Sequence, residues 1–461
     1  MKALLVALLL AAVPAAAADT QRDRALAAGY KAAFLCSGIF NAGQTEAQVT
    51  ADDLNGIYPE YQSLIAALPA KIDRTARTVS VTFDPALPPR IAAWRPLLGC
   101  ASLPIGGTNT EVIPRLTPDF RKPDLAAVDA ARWPLGDRGA AVRPPRAAAK
   151  ALAAVVARAF DPAAFGGKNN DTSATTAVII LHNGKIVAER YRPGFDSHTP
   201  QRTWSVAKSL TAALIGRAAE LGRIDIAAPA AIPTWSASGD PRAAITTEQL
   251  LRMNSGLWTA GPGNRTDAIY IGGATVPQAA ATMPLEYAPG AHFNYSNNDI
   301  MLAALGLEAR VADPLGFPFT ELLWPLGMTR TTPETDWQGH FILSSQVWMT
   351  GRDLARLALL YSRDGIAPDG RRLLPAGWIA RSTTPSGIQP PPGRGGYGLG
   401  IWLYGPADGL PAGTYGFIGN RGQFAIIVPA RDLIIIRRGF DASGAAFNPL
   451  AFTKEVLNLP L

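Results

Sequence analysis

The sequence predicts a mixed α/β (α+β) fold, one antiparallel sheet flanked by helices, with a mainly helical region inserted into the sheet and a small module ahead of it. Three observations carry that expectation. Strand patterns cluster in two stretches far apart in the chain, at 177–191 and 397–438. The residues between them show helical periodicity with capping signals. A stretch rich in Arg, Pro and Ala at 121–170, centred on Arg143-Pro144-Pro145-Arg146, divides both from the opening residues. The expected organisation is therefore a leader at 1–18, an N-terminal module with its linker at 19–165, and the main domain at 166–461.

In chain order, residues 22–35 have a helical pattern and 78–83 alternate like a half-buried strand. Residues 177–181 and 185–191 flank His182-Asn183-Gly184, where Asn-Gly supplies the positive backbone angles of a tight hairpin. Residues 205–220 read as a helix with Val206, Leu210 and Leu214 on one face and Gly222 as its stop. Thr246 and Gln249 form a capping box that opens a second helix, ended by Asn254-Ser255-Gly256. A third helix is expected at 298–312 and a fourth after Thr350. Residues 397–403 are expected as one strand, and 423–428 with 433–438 as a hairpin around Pro429-Ala430-Arg431-Asp432. A terminal helix at 450–457 covers the sheet, whose first hairpin and last strands pair across the inserted helices.

Composition narrows the function. With 48% hydrophobic and 17% charged residues the chain is globular, and its net charge of +7 is scattered, without a Lys/Arg run or a basic aromatic stripe, so nucleic acid is not an expected partner. The four histidines and two cysteines lack metal-ligand spacing, and no metal or organic cofactor is expected. Lys2, the apolar run 4–13 and Ala16-Ala17-Ala18 have the form of a cleavable signal peptide; an uncleaved anchor is the alternative. No later stretch is long and apolar enough to span a membrane. The mature protein is thus expected in the periplasm or outside the cell, where Cys36 and Cys100 either form a disulfide or remain two buried thiols.

Acyl transfer needs a nucleophile, a base and fixed donors for the oxyanion. No Gly-x-Ser-x-Gly elbow occurs, and neither of the plausible histidine bases, His292 and His340, sits near a nucleophile-like serine in sequence. Lysine is the alternative base. Ser205-Val206-Ala207-Lys208 opens a helix, so the amine lies about one turn from the hydroxyl, beside the unpaired N–H groups and positive dipole end of the helix. Standing alone, this spacing also fits a surface serine and lysine. Tyr295-Ser296-Asn297 adds a phenol able to pass a proton and an amide able to orient an acyl group; alone it is a polar helix start. Gly419-Asn420-Arg421-Gly422-Gln423 leads into a strand. There Gly422 lets substrate approach the strand edge, and the Gln423 N–H can complete an oxyanion hole with that of Ser205.

Ser-x-x-Lys, Tyr-x-Asn and a glycine-bearing strand motif, in that order, resemble the serine β-lactamase and penicillin-binding-protein superfamily. Thr203-Trp204-Ser205-Val206-Ala207-Lys208, the 245–257 stretch, Pro325-Leu326-Gly327-Met328 and Arg431-Asp432-Leu433 are similar to its class C β-lactamase-related branch, within it to the esterase and 6-aminohexanoate-dimer hydrolase group. The resemblance covers about 171–461 and implies a β-lactamase/transpeptidase-like fold. It implies Ser205 as acylated nucleophile, Lys208 as its proton partner, Tyr295 as base and later acid, Asn297 and Asn420 on the substrate, and Gln423 in the oxyanion hole. Where β-lactamases carry Lys-Thr-Gly the chain offers Asn420-Arg421-Gly422, which puts penicillin turnover in doubt unless Arg421 faces the pocket. The expected activity is hydrolysis of a small-molecule ester or amide. A D-Ala-D-Ala peptidase or β-lactamase with the same machinery, and an inert cell-envelope binding protein, are the alternatives.

Overall fold

The computed structural model describes residues 20–166, 173–259, 266–385, 387–442 and 447–461; the leader expected at 1–18 lies outside them. The chain opens with helix Gln21–Phe40, started by a capping box between Thr20 and Asp23. It packs on a four-stranded antiparallel sheet of β1 (Ala70–Asp73), β2 (Thr78–Val81), β3 (Arg90–Arg95) and β4 (Gly99–Ser102). Of these strands only β2 was legible as a pattern. Cys36 on the helix is bonded to Cys100 on β4, with Cα atoms 6.2 Å apart, so the two cysteines staple helix to sheet.

The 121–170 stretch also holds structure. Helix Ala149–Arg158 buries Leu152 and Val156 on one stripe, against the strand Lys185–Tyr191 and the C-terminal helix Pro449–Leu457.

The central sheet has seven strands: β5 (Thr175–His182), β6 (Lys185–Tyr191), β10 (Gly396–Tyr397), β11 (Trp402–Tyr404), β12 (Thr414–Gly419), β13 (Gln423–Val428) and β14 (Leu433–Gly439). Their order is β10, β11, β12, β13, β14, β5, β6, and every neighbour is antiparallel. The first hairpin joins the last strand as expected, with Ile435 opposite Ile180 and Ile436 opposite Ile179. Asn183 and Gly184 turn that hairpin at φ 50° and 71°. Both faces of β5 are covered: Ile179 and Leu181 enter the main core, whereas Val178 and Ile180 pack outward with Phe424, Ile426, Phe452 and Val456. That double burial explains the uninterrupted apolar run at 177–181.

The expected single strand at 397–403 is two strands around a turn. Gly400 stands at φ 67°, and a Cβ on Gly398 would lie 1.8 Å from the Ser382 carbonyl oxygen, so neither position can carry a straight strand. A three-stranded sheet of β7 (Gln201–Arg202), β8 (Thr332–Pro333) and β9 (Val347–Met349), in the order β7, β9, β8, leads the chain toward Ser205. Helix Val206–Glu220 then crosses the main core, buried along nearly its whole length. One hydrophobic cluster contains Phe34, Leu35 and Val79 together with Ile179, Leu210 and Phe417, so the opening helix and its sheet share a core with the central sheet and the helix that follows Ser205. No helix among the described residues is long and apolar enough to cross a membrane.

Candidate active site

Ser205 occupies the N-cap position of helix Val206–Glu220. The residue before it, Trp204, is held at φ 51°, a conformation costly for a bulky side chain and kept only where surroundings over-determine it. Those surroundings are stated by its contacts: the Arg202 guanidinium lies 3.8 Å from the Trp204 ring and 4.7 Å from that of Phe34.

One turn along the helix, the Lys208 amine is buried. It donates to Ser205 Oγ (3.0 Å), Asn297 Oδ1 (2.6 Å) and the Ser344 carbonyl oxygen (2.9 Å), which engages all three ammonium hydrogens. Burial pushes its pKa down to about 7, since no carboxylate stands beside the ammonium to offset desolvation. The Tyr295 hydroxyl is hydrogen-bonded to Ser205, and its ring lies 5.0 Å from Lys208 Nζ. Burial raises the Tyr295 pKa, favouring the neutral phenol. Ser205, Lys208, Tyr295 and Asn297 therefore converge. The Asn297 carbonyl oxygen is turned to the lysine, where the sequence suggested a contact with substrate.

The Tyr295 loop is fixed from below. Asn294 N donates to the Met253 carbonyl (2.9 Å) and Gly290 N to that of Asn254 (2.7 Å). Ser296 caps the helix Asn297–Glu308, and Ser255 Oγ donates to Asp299 Oδ1 (2.9 Å), a carboxyl that burial pushes up to about 7. Asn254-Ser255-Gly256, a helix stop within the 245–257 stretch, is thus the support of the tyrosine loop. Tyr397 and Trp402 of the β10–β11 hairpin wall the tyrosine, with ring centroids 5.8 and 5.5 Å from its own. Tyr270, whose hydroxyl is 2.5 Å from Ser344 Oγ, and Ser344 itself had no signal in the sequence. Both stand far from Ser205 in the chain, and only tertiary folding brings them near.

The glycine motif is displaced from where the sequence put it. A Cβ on Gly419 would lie 2.3 Å from the Thr203 carbonyl oxygen and 3.2 Å from Ser205 N, so Gly419 is the glycine packed against Ser205. A Cβ on Gly422 would instead meet Arg437 Nη1 at 1.5 Å, on the side of the buried Arg437–Asp441 ion pair. Gln423 stands opposite Gly419 in the β12–β13 ladder, and its side chain is committed inward: Oε1 accepts from Arg438 (2.6 Å) and Nε2 donates to the Gly439 carbonyl. Asn420 is exposed, with Oδ1 accepting from Arg421 N (2.9 Å). Arg421 is buried, its guanidinium donating to the carbonyls of Asp52, Asn55, Phe440 and Asp441, so it supplies no charge to the pocket. The displacement has a simple cause. The pattern of β12 is not periodic in sequence, so the strand signal begins only at Gln423 and points to the glycine just before it.

The histidines lie elsewhere in the fold. His340 pairs with Glu308 (2.8 Å), His198 with Asp137 (2.8 Å), and His292 stacks on Tyr287.

A family model described as "Beta-lactamase" matches residues 156–437. The 6-aminohexanoate-dimer hydrolase of Paenarthrobacter ureafaciens is 25% identical over 306 residues, 58% of this chain and 73% of that protein. Among solved structures, EstCE1, a hydrolase with promiscuous acyltransferase activity, aligns with a TM-score of 0.53 at 15% identity, covering 68% of this chain and 97% of that one.

Proposed function

Because this chain belongs to the β-lactamase family, we propose that it is a serine hydrolase cleaving an ester or small amide bond through an acyl-enzyme on Ser205. What supports this most is one arrangement: the Lys208 amine 3.0 Å from Ser205 Oγ, with the Tyr295 hydroxyl bonded to the same serine. Ser205 Oγ attacks the carbonyl carbon and gives up its proton. A lysine with a pKa near 7 is half neutral at physiological pH and can accept that proton, directly or through the phenol. Burial disfavours a free phenolate, so Tyr295 acts as a relay, and Lys208 is where the proton rests. The phenol then protonates the leaving alkoxide or amine, and water attacks the acyl-enzyme by the same route reversed. The oxyanion is held by the Ser205 N–H, at the positive end of its helix, and by the N–H following Gly419.

The substrate is a small ester or amide more than a β-lactam. β-Lactam carboxylates call for a cation at the strand edge, and the one arginine of the motif faces away from the pocket. The name of the Paenarthrobacter ureafaciens relative, a hydrolase of a 6-aminohexanoate dimer, fits cleavage of a short linear amide. The leader expected at 1–18 and the Cys36–Cys100 bond support action in the periplasm or outside the cell.

The test is hydrolysis of a panel of short-chain p-nitrophenyl esters, 6-aminohexanoate dimer and nitrocefin, by the protein and by Ser205→Ala. Ester or amide turnover lost in the variant, with nitrocefin intact, is the expected result. Turnover that survives in Ser205→Ala refutes the assignment of the nucleophile.

A further inference from the structure

We propose that the N-terminal module is a positioning element of the active site, acting through Phe34 on the nucleophile turn and through Arg421 on the oxyanion turn. This rests on the reading of Ser205 as an acylated nucleophile. Two backbone segments must be in register for that chemistry: Thr203-Trp204-Ser205 and Gly419-Asn420. They touch each other directly, as the 2.3 Å approach of a Gly419 Cβ to the Thr203 oxygen shows.

Behind the first segment stands Phe34. Its ring is 6.2 Å from that of Trp204, and the Arg202 guanidinium packs on both rings, 4.7 Å from Phe34 and 3.8 Å from Trp204. A tryptophan at positive φ relaxes unless packing prevents it, and this is the packing. Behind the second segment stands Arg421. Its backbone is at φ 59°, and its guanidinium reaches past the turn to the carbonyls of Asp52 (2.7 Å) and Asn55 (2.8 Å) in the module. Two further bonds, to Phe440 and Asp441, tie the same guanidinium to the end of β14. Arg421 is therefore a rivet through module, oxyanion turn and sheet.

The two supports are one body. Tyr30, one turn before Phe34, donates to the Asp53 carbonyl (2.6 Å), and the Cys36–Cys100 bond fixes the same helix to its sheet. Asp52 is also paired with Arg192 at the end of β6. A shift of this body moves both oxyanion donors relative to each other, and about 1 Å of misplacement costs on the order of 100-fold in rate.

The experiment uses the full-length protein, Arg421→Gln, Phe34→Leu, and Arg158→Ala as a control at an exposed pair. Active sites are counted with a fluorophosphonate, kcat and KM are measured per titrated site on a p-nitrophenyl ester, and phenylboronic acid reports affinity for a tetrahedral adduct. The expected result is kcat per site lower by about 10- to 100-fold in both variants, KM within about twofold, and boronate affinity falling in proportion to kcat/KM. Variants that titrate fully and keep kcat and boronate affinity within about twofold of wild type overturn the proposal, as does a loss confined to titratable fraction or melting temperature. Should Arg421→Gln not fold, Phe34→Leu, nearly volume-conserving, is judged by the same criteria. A wild-type protein that is neither labelled nor active defeats the underlying reading instead.

Discussion

Lys208→Met tests the physical basis of the site through stability as well as rate. The lysine is fully buried, and burial alone lowers its pKa from about 10.5 to about 7. In the unfolded chain the amine keeps its proton up to about pH 10.5, whereas the folded protein releases it above about 7. Between those values the unfolded state holds more protons, so wild-type stability rises with pH across the window. The burden the charge places on folding is fully present below pH 7, and gone above pH 10.5. At 1.36 kcal/mol per pKa unit, it amounts to about 4 kcal/mol at pH 7 and about 2 kcal/mol at pH 9. Methionine carries no such burden, but it leaves Asn297 Oδ1 and the Ser344 oxygen without their donor, at about 1–3 kcal/mol each. These opposing effects nearly cancel at pH 7, so the sign of the net change there decides little. The pH dependence does decide, because the lost hydrogen bonds do not titrate in this range. Urea unfolding of both proteins at pH 7, 8 and 9 should show wild type gaining about 2 kcal/mol on the variant from the lowest pH to the highest. The kcat/KM of wild type should rise with a midpoint near pH 7, and the variant should be inactive. A stability difference that stays constant over this range would refute the claim that burial depresses the lysine.

Three other outcomes follow from named contacts. Gly419→Ala should lower kcat/KM at least about tenfold while Gly419's φ of −128° remains comfortable for alanine, because the new methyl must push the strand off Thr203; near-normal kinetics would remove Gly419 from the oxyanion turn. Replacing Cys36 and Cys100 together by serine should cost about 4 kcal/mol by loop-closure entropy at a separation of 64 residues, measured by urea unfolding against wild type; a change under about 1 kcal/mol would mean the module is held by its packing alone. Asp441→Ala should cost about 3–5 kcal/mol, since it strands the Arg437 guanidinium in a fully buried site, and a melting temperature matching wild type would show the pair to be dispensable.

How far the sequence was legible depended on whether the information was local. The hairpin at 177–191, the capping box at 246–249 and the helix at 206–220 are each written in a few adjacent residues, and each stands as expected. Ser205 and Lys208 share one helix turn, so their meeting is also a local fact. Tyr295 lies far along the chain, and its place beside Ser205 could be inferred only by resemblance. What was missed was non-local. β12 carries Gly416, Gly419 and aromatic residues in a six-residue strand whose pattern is set by its neighbours β11 and β13, so periodicity did not reveal it. Missing β12 shifted the motif glycine by three positions. The helix 149–158 was hidden by its alanine-rich composition, in which two residues, Leu152 and Val156, bear the buried stripe.

The site also explains why this domain has so much sheet behind so small a catalytic group. A buried amine without a carboxylate partner, a tryptophan at positive φ and a backbone approach that only glycine permits are each unfavourable locally. Such features persist only where the surrounding structure leaves no cheaper arrangement. Here the constraint comes from distant parts of the chain: β5 and β14 join residues near 180 to residues near 435, and Arg438 on β14 donates to the Gln201 and Arg202 carbonyls just ahead of Ser205. The same strand pairs with β13, the strand that follows the Gly419-Asn420 turn. The proposed nucleophile and the proposed oxyanion donors thus share one strand as a common reference. Loosening β14 is expected to harm catalysis before it unfolds the domain, because the strained turn would relax while most of the core stayed packed.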